Sequence, residues 1–240
     1  MPTSPNPKTE PVPVQQMFDS LAWRYDLFNR IISLGMDNSW RSKVLQDIPA
    51  NARVLDIGCG TGDLSLEAAK RVAPRGEVVG LDFSSKMLEM AEKRYQALGR
   101  PLNGQFKLVQ KSAEELPLDG KPFDLVLSGF VLRNLPQIDR VIAGIWNSLK
   151  RGGQLRLLDF TEPRGNISRA LFHAHMNTYG VFFGRLLFGK DFPAGYMAES
   201  AKRFSKPEQF VEKLKLAGFR DARAERFWFG AVVIYRATRP

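Results

Sequence analysis

Residues 53–63 read Arg53-Val54-Leu55-Asp56-Ile57-Gly58-Cys59-Gly60-Thr61-Gly62-Asp63, and the fold follows from them. The first five form a short β-branched and aliphatic run. Three glycines then break it, and Leu64, Ala68 and Val72 recur behind them at helical spacing. That order predicts strand, tight turn and helix. Glycine permits backbone dihedrals closed to other residues and lets a ligand approach the main chain, while the start of the helix presents unpaired N–H groups. Alone, such a turn announces only a nucleotide-like ligand. Its discriminating partner is Val78-Val79-Gly80-Leu81-Asp82, which predicts a second strand ending in an acid about 20 residues beyond the loop, where a ribose diol needs an acceptor.

Outward from this unit, strand and helix keep alternating. After Asp82-Phe83, Ser84-Ser85 cap a helix whose stripe is Met87, Leu88, Ala91, Tyr95 and Leu98, ended by Gly99 and Pro101. A third strand is expected over 106–110, before Lys111-Ser112-Ala113, and a fourth over 123–128, running into Gly129-Phe130-Val131-Leu132-Arg133-Asn134. Ile138, Val141, Ile142, Ile145 and Leu149 make the next amphipathic helix. Lys150-Arg151-Gly152-Gly153 stops it, and 154–160 is a fifth strand. A helix from Lys206-Pro207 through Leu216 precedes a closing antiparallel pair over 222–228 and 231–238. The expected fold class is α/β, a doubly wound, seven-stranded, mostly parallel sheet with its ligand at the carboxyl ends of the strands.

The 240 residues, 44% of them hydrophobic, suffice for one domain with a full core, expected over 14–240. Residues 1–13 carry Pro2, Pro5, Pro7, Pro11 and Pro13 between polar residues and are expected to be a disordered tail; they lack the apolar core of a signal peptide. Residues 14–50 are an N-terminal helical region, with Met17, Leu21, Tyr25 and Phe28 on one face and Ser33-Leu34-Gly35 closing it, then a short helix over 40–45. Residues 162–203 are crowded with Phe172, Tyr179, Phe182, Phe183, Phe188 and Tyr196, and are expected to be an inserted helical lid. No apolar run is long enough to span a membrane, which points to a cytoplasmic protein. Cys59, the single cysteine, excludes an intrachain disulfide and reads as a small buried filler. A net charge of +10 favours an anionic partner, nucleic acid or an acidic membrane surface. His173 and His175, the two histidines, are two positions apart on a helix and face different sides, so they do not form a metal-binding pair. No metal is expected.

The form of the loop, Leu55-Asp56-Ile57-Gly58-Cys59-Gly60-Thr61-Gly62, resembles the cofactor loop of class I S-adenosylmethionine (SAM) methyltransferases. An acid at Asp56 suits a cationic amino-acid end better than a pyrophosphate. The resemblance implies that Asp56, Gly58, Gly60, Thr61 and Gly62 hold the cofactor. It places Asp82 and Phe83 at the ribose, Ser112 and Ala113 beside the adenine, and Ser128 to Phe130 at the methionine portion. The flanks go further. Arg24-Tyr25-Asp26-Leu27-Phe28-Asn29, Leu132-Arg133-Asn134, Lys150-Arg151-Gly152-Gly153 and Tyr196-Met197-Ala198-Glu199-Ser200 resemble signatures of the ubiquinone and menaquinone biosynthesis C-methyltransferases. Phe28, Asp37, Arg151 and Asp159 depart from that pattern, which usually carries Met, His, Pro and Glu there.

The resemblance implies methyl transfer from S-adenosyl-L-methionine to a ring carbon of a prenylated 1,4-quinol, foremost demethylmenaquinol. The reduced ring is the nucleophile, because a quinone carbon is electron-poor. Arg133 is expected to stabilise the quinolate, Tyr25 to hydrogen-bond a ring oxygen, and Asn134 to orient Arg133 or the substrate. A polyprenyl tail implies a protein peripheral to an anionic membrane surface, with Arg164, Arg169, Arg185 and Lys190 near the contact. Oligomeric state is left open between monomer and homodimer. Two other readings stand beside this one: methylation of another apolar small molecule at oxygen or nitrogen, and a SAM-binding scaffold in a quinone-biosynthesis complex. Nucleic acid is not the expected partner, for no basic run with interleaved aromatics appears.

Overall fold

The strands Arg53–Ile57 (β1), Glu77–Asp82 (β2), Phe106–Gln110 (β3), Phe123–Gly129 (β4), Leu149–Phe160 (β5), Arg220–Phe227 (β6) and Val232–Thr238 (β7) form one sheet in the order β3-β2-β1-β4-β5-β7-β6. They are taken from a computed structural model describing residues 19, 21–98, 106–118, 120–190, 192–204 and 206–240. The expected tail, Met17, and the Gly99 and Pro101 helix stop lie outside those residues. Strands β1 to β5 pair in parallel, and β7 joins β5 and β6 antiparallel. The chain leaves β1 towards β2 on one side and returns to β4 on the other. The splayed connections at that reversal open a crevice at the carboxyl edge.

The two faces of the sheet follow from the alternation of side chains along a strand. Val54, Leu158, Phe160, Val232 and Ile234 face one core with helices Asp37–Val44 (α2), through Trp40 and Val44, and Asp63–Val72 (α3), through Leu64, Leu66, Ala68, Ala69 and Val72. Their neighbours Leu55, Ile57, Leu155, Leu157, Val233 and Tyr235 face the other core, with Ile138–Ser148 and Pro207–Leu216. Helix Ser85–Ala97 (α4) starts at Ser84, whose hydroxyl accepts from the Met87 amide at 3.1 Å. The helices Ile138–Ser148 and Pro207–Leu216 are α5 and α9 in chain order.

Two local expectations change. The stretch 150–153 does not separate helix from strand: β5 already begins at Leu149, which pairs with Phe123, and the next pair is Leu125 with Gln154. The intervening residues bulge out, and Gly152 donates to the Arg239 carbonyl at 2.7 Å. The second N-terminal helix begins at Asp37 rather than near Trp40. Asp37 is buried and accepts from Ser33 Oγ and Arg30, both at 3.0 Å, and from Arg41, so its carboxylate nails the turn after Tyr25–Ile32 (α1) to the new helix.

Residues 162–203 form a rod of Asn166–Ala174 (α6), a π-helical turn His175–Gly180 and Val181–Phe188 (α7), then Tyr196–Arg203 (α8). A third core of Leu21, Phe28, Ile32 and Phe192 joins the rod to α1, with Phe28 and Phe192 ring centroids 5.1 Å apart. Gly184 makes this possible, because a Cβ there would come within 2.2 Å of the Phe192 ring. At the sheet centre, Leu127→Ala empties a fully buried site on β4. It is expected to lower the unfolding free energy by about 2–5 kcal/mol, read from the shift of a denaturant midpoint.

Candidate active site

The glycine turn is shaped by what it touches. Gly58 sits at φ +64, and a Cβ there would lie 2.4 Å from Cγ2 of Val131, so the loop after β4 closes directly over it. Gly60, at φ +54, has open space where its side chain would be. The loop is anchored to the end of β2 by the Cys59 amide donating to the Leu81 carbonyl at 3.0 Å and the Gly60 amide donating to Asp82 Oδ2 at 2.9 Å. Cys59 itself is buried beside Gly80, whose added Cβ would meet Sγ at 3.0 Å.

Over this loop opens a cleft of about 920 Å³ of space, part of it continuous with solvent. Of the residues expected to hold the cofactor, Asp56, Gly58, Gly60, Thr61, Asp82, Phe83, Ser112 and Ala113 line it. Gly62 and Ser128 stand behind the wall. Gly62 packs α3 against Ala91, and the Ser128 hydroxyl donates to the Ile57 carbonyl at 2.7 Å, tying β4 to β1, while Gly129 and Phe130 form the surface there.

Two acids face the cleft in different states. Asp82 accepts from the Gly60 and Ser84 amides, both at 2.9 Å; burial raises its carboxyl above the usual range, and these bonds counter part of the rise. Asp56 is 1% exposed and accepts the Ser65 hydroxyl on Oδ2, while its Oδ1 has no partner. Burial pushes this carboxyl up to about 7, against the Ser65 bond. A buried acceptor without a donor is costly, so a cationic group in the cleft would be strongly favoured there. S-adenosylmethionine fits this donor set: an ammonium for Asp56 Oδ1, a ribose diol for Asp82, and an open approach over Gly60.

The roof comes from α1 and the lid. Tyr25, Asp26 and Asn29 line the cleft, and Asp26 accepts from Thr61 Oγ1 at 2.5 Å and Arg94 Nη1 at 2.8 Å. Arg94 also reaches Asp63 at 2.6 Å, and Asp63 lies 3.4 Å from Arg41, which pairs with Asp37. This chain of charges clamps α1 to the glycine loop. Asp26 and Asn29 fall within the N-terminal signature, but the sequence gives no site role to them or to Arg41, Asp63 and Arg94. The signal available was the four-residue spacing of Tyr25 and Asn29, which puts both on one helical face.

The three expected catalytic residues part company. Tyr25 and Asn134 line the cleft; Arg133 does not. Its side chain is 3% exposed and ion-paired with the fully buried Asp159, and it donates to the Phe130 carbonyl at 2.9 Å. Its Nε is buried without a partner. Burial works against the Arg133 charge, but Asp159 and then Tyr25 outweigh it, so the guanidinium is held more firmly protonated than usual. Burial raises the Tyr25 hydroxyl above its ordinary range, and the Arg133 charge offsets part of that. Asn134 Oδ1 accepts from the Tyr196 hydroxyl at 2.7 Å, which leaves the amide N–H groups as its free face. Asn29 Nδ2, also buried on the cleft wall, has no partner. The histidines go elsewhere: His173 Nε2 lies 3.0 Å from Glu162, and His175 Nε2 lies 2.8 Å from the Ile32 carbonyl.

If Asp56 holds the cofactor's ammonium, binding depends on pH with a definite sign. Its folded carboxyl holds a proton more tightly than the unfolded chain's, so its contribution to folding stability is present at low pH and is lost as pH rises from the usual carboxylate range to about 7. Binding of a cation runs the other way and tightens over the same rise. SAM affinity measured by calorimetry is expected to increase between pH 6 and 8, roughly following a group near 7. Asp56→Asn should flatten the profile, while Asp82, Arg41, Ser65 and Cys59 around it stay in place. Gly58→Ala, which drives a methyl into Val131, is expected to weaken SAM binding by at least about tenfold.

A sequence model of the ubiE/COQ5 methyltransferase family matches residues 6–239. The chain is 34% identical over 228 residues to a demethylmenaquinone methyltransferase of Lactiplantibacillus plantarum, covering 94% of this chain and 95% of the relative. It is 30% identical over 225 residues to the ubiquinone/menaquinone biosynthesis C-methyltransferase UbiE of Geotalea daltonii, covering 92% and 94%. Among solved structures it superposes on magnesium protoporphyrin IX methyltransferase from Synechocystis, crystallised with SAM. The TM-score is 0.62 at 20% identity, covering 95% of each chain, a likeness of fold. The chain belongs to the ubiE/COQ5 methyltransferase family.

Proposed function

We propose that this methyltransferase uses S-adenosyl-L-methionine to methylate a ring carbon of a prenylated 1,4-quinol, converting a demethylmenaquinol to the menaquinol. The observation that carries the reading is the set of polar side chains at the roof of the cleft: Tyr25, the Asn29 amide beside it, and the Asn134 amide held by Tyr196. Phe130, Val131 and Leu135 supply apolar walls beside them. An aromatic ring with a hydroxyl at one end matches that mixture.

When bound, SAM supplies an electrophilic methyl group on a sulfonium. The chain's own residues prepare the acceptor. As the ring carbon attacks, negative charge that builds on the quinol oxygen meets N–H and O–H donors already fixed in place. Tyr25 keeps its proton at neutral pH, because burial raises its hydroxyl, and therefore donates. Arg133 acts from behind this layer: its charge, locked to Asp159, sets the local potential and holds the turn Leu132–Asn134 at the edge of the cleft. Removing Arg133 would also strand the buried Asp159 carboxylate, so activity lost in an Arg133→Ala variant would mix catalysis with stability. Because a prenyl tail keeps the acceptor in lipid, this methyltransferase would work from the cytoplasmic side, peripheral to an anionic membrane surface.

Under reducing conditions, a panel of demethylmenaquinol, ubiquinol precursors and unrelated phenols is expected to show turnover on demethylmenaquinol, with the methyl on a ring carbon by mass spectrometry. Transfer to oxygen or nitrogen of a phenol or amine, with none to any quinol, would overturn the reading. Tyr25→Phe and Asn29→Ala should each lower kcat by about 10- to 100-fold at an unchanged SAM dissociation constant. Tyr196→Phe, which only frees the Asn134 amide to flip, should cost roughly 3- to 10-fold in kcat.

A further inference from the structure

The rod formed by α6, the π-helical turn and α7 has one face packed on the core and another that nothing among the described residues covers. Phe172, Met176, Gly180 and Gly184 are on the inner side. On the outer side Ile167 is 79% exposed, Leu171 65%, Phe182 62% and Leu186 65%. Large apolar side chains are normal on a surface singly; a line of them along roughly 28 Å of helix is not. The line extends onto α1 and the turn before it. Trp23 and Leu27 are more than half exposed, and Arg24 stacks on Trp23 at 3.9 Å while donating to the Leu187 carbonyl at 3.3 Å, which brings that tryptophan to the end of α7.

The charged residues carried by the rod itself have one sign. From Pro163 to Lys190 the sequence contains no Asp or Glu, and it contains Arg164, Arg169, Arg185 and Lys190. Arg164 and Arg169 are tied to Glu208 and Glu162, whereas Arg185 and Lys190 are exposed with no ion pair among the described residues. A second copy docked rod to rod would set Arg185 and Lys190 against their counterparts with no acid of residues 163–190 between them, and a nucleic acid would have no use for the isoleucine, leucines and phenylalanine. An anionic bilayer answers both features, taking the apolar line into its acyl boundary and the cations at its phosphates. No described helix is long and apolar enough to cross a membrane, and this rod, buried along its inner side, is suited to lie in the plane.

We infer that the outer face of residues 166–188, with Trp23 and Leu27, docks the protein on an anionic lipid surface, the rod lying parallel to it. This deepens the quinol reading, on which it rests for its purpose. The core of Phe28 and Phe192, with Phe188 packed on it, stands between the docked face and the roof residues Tyr25 and Tyr196, which also touch it. Aromatic packing therefore links the docked face to the residues that roof the cleft.

The test reads binding without turnover, using the full chain and flotation with phosphatidylcholine vesicles with and without phosphatidylglycerol. The wild-type chain is expected to float with the anionic vesicles. A Phe182→Gln/Leu186→Gln variant should partition at least about tenfold less, with its SAM dissociation constant and thermal midpoint unchanged. Arg185→Gln/Lys190→Gln should lower binding to anionic vesicles alone and flatten its salt dependence. The inference is overturned if the wild type binds no vesicle, if the apolar variant partitions as the wild type does, or if sedimentation equilibrium shows that variant converting a dimer into a monomer. Turnover on a short-tailed, water-soluble quinol scores the quinol reading separately. It should survive the Phe182→Gln/Leu186→Gln change, and its absence in the wild type would sink that reading while leaving the vesicle result intact.

Discussion

Between Ile57 and Asp63 the main chain must leave a buried strand, reverse, and enter a helix while keeping one side clear for a ligand. That constraint organises the molecule. The loop after β4 presses on Gly58 through Val131, so the turn has no room for a side chain there. Over Gly60, by contrast, space is kept open. The turn is not left to its own stiffness, because the Gly60 amide binds Asp82 and the Cys59 amide binds Leu81. The residue expected at the ribose thus also holds the glycine loop. A change at the end of β2 would be felt along the whole cleft.

Buried charge is spent in two contrasting ways around that loop. Asp56 is left incomplete, with one oxygen satisfied by Ser65 and the other bare, and its raised pKa records the cost. A cation bound beside it would offset that cost and so couple ligand affinity to the protonation of Asp56. Asp159 and Arg133 are nearly complete: the carboxylate accepts from the guanidinium, the Arg133 amide at 3.0 Å and the Phe160 amide at 2.7 Å. Such a pair contributes less to net stability than to fixing a position. What it fixes is the turn carrying Asn134.

The fold was legible because its signals are local. Alternation in β1 and β2, glycines between strand and helix, and the stripe on α5 each sit within a few residues, and the strand bounds follow them closely. The wall of the cleft was legible for the same reason, since Asp56, Gly58, Gly60, Asp82 and Ala113, which line it, all lie at or just past strand ends. Gly62 and Ser128 belong to the same segments, yet which of two adjacent residues faces the cleft depends on strand register and helix start. The roof was hardest to read. It joins α1, the turn after β4 and α8 through contacts such as Tyr196 with Asn134, 62 positions apart, and no periodicity in one segment announces a partner in another. The same holds for Arg133: its residue type signalled a charge near the reaction, but its burial against Asp159 is a tertiary fact.

That burial makes electrostatic sense for a site that accepts a cationic cofactor. A bare guanidinium on the cleft wall would repel a sulfonium at close range, where the local dielectric is low. Paired with Asp159, the same arginine has its field largely cancelled at a distance, while the polar tips of Tyr25, Asn29 and Asn134 remain to meet an oxygen on which charge appears only during reaction. Neutral donors do this without opposing the donor's positive charge, and their strength grows as the oxyanion forms. The arrangement divides the work. In the proposed reaction, Asp56 would compensate the cation that is present from the start, and the roof amides would answer the anion that develops later. Placing both demands on one charged residue would have set binding of the cofactor against activation of the acceptor.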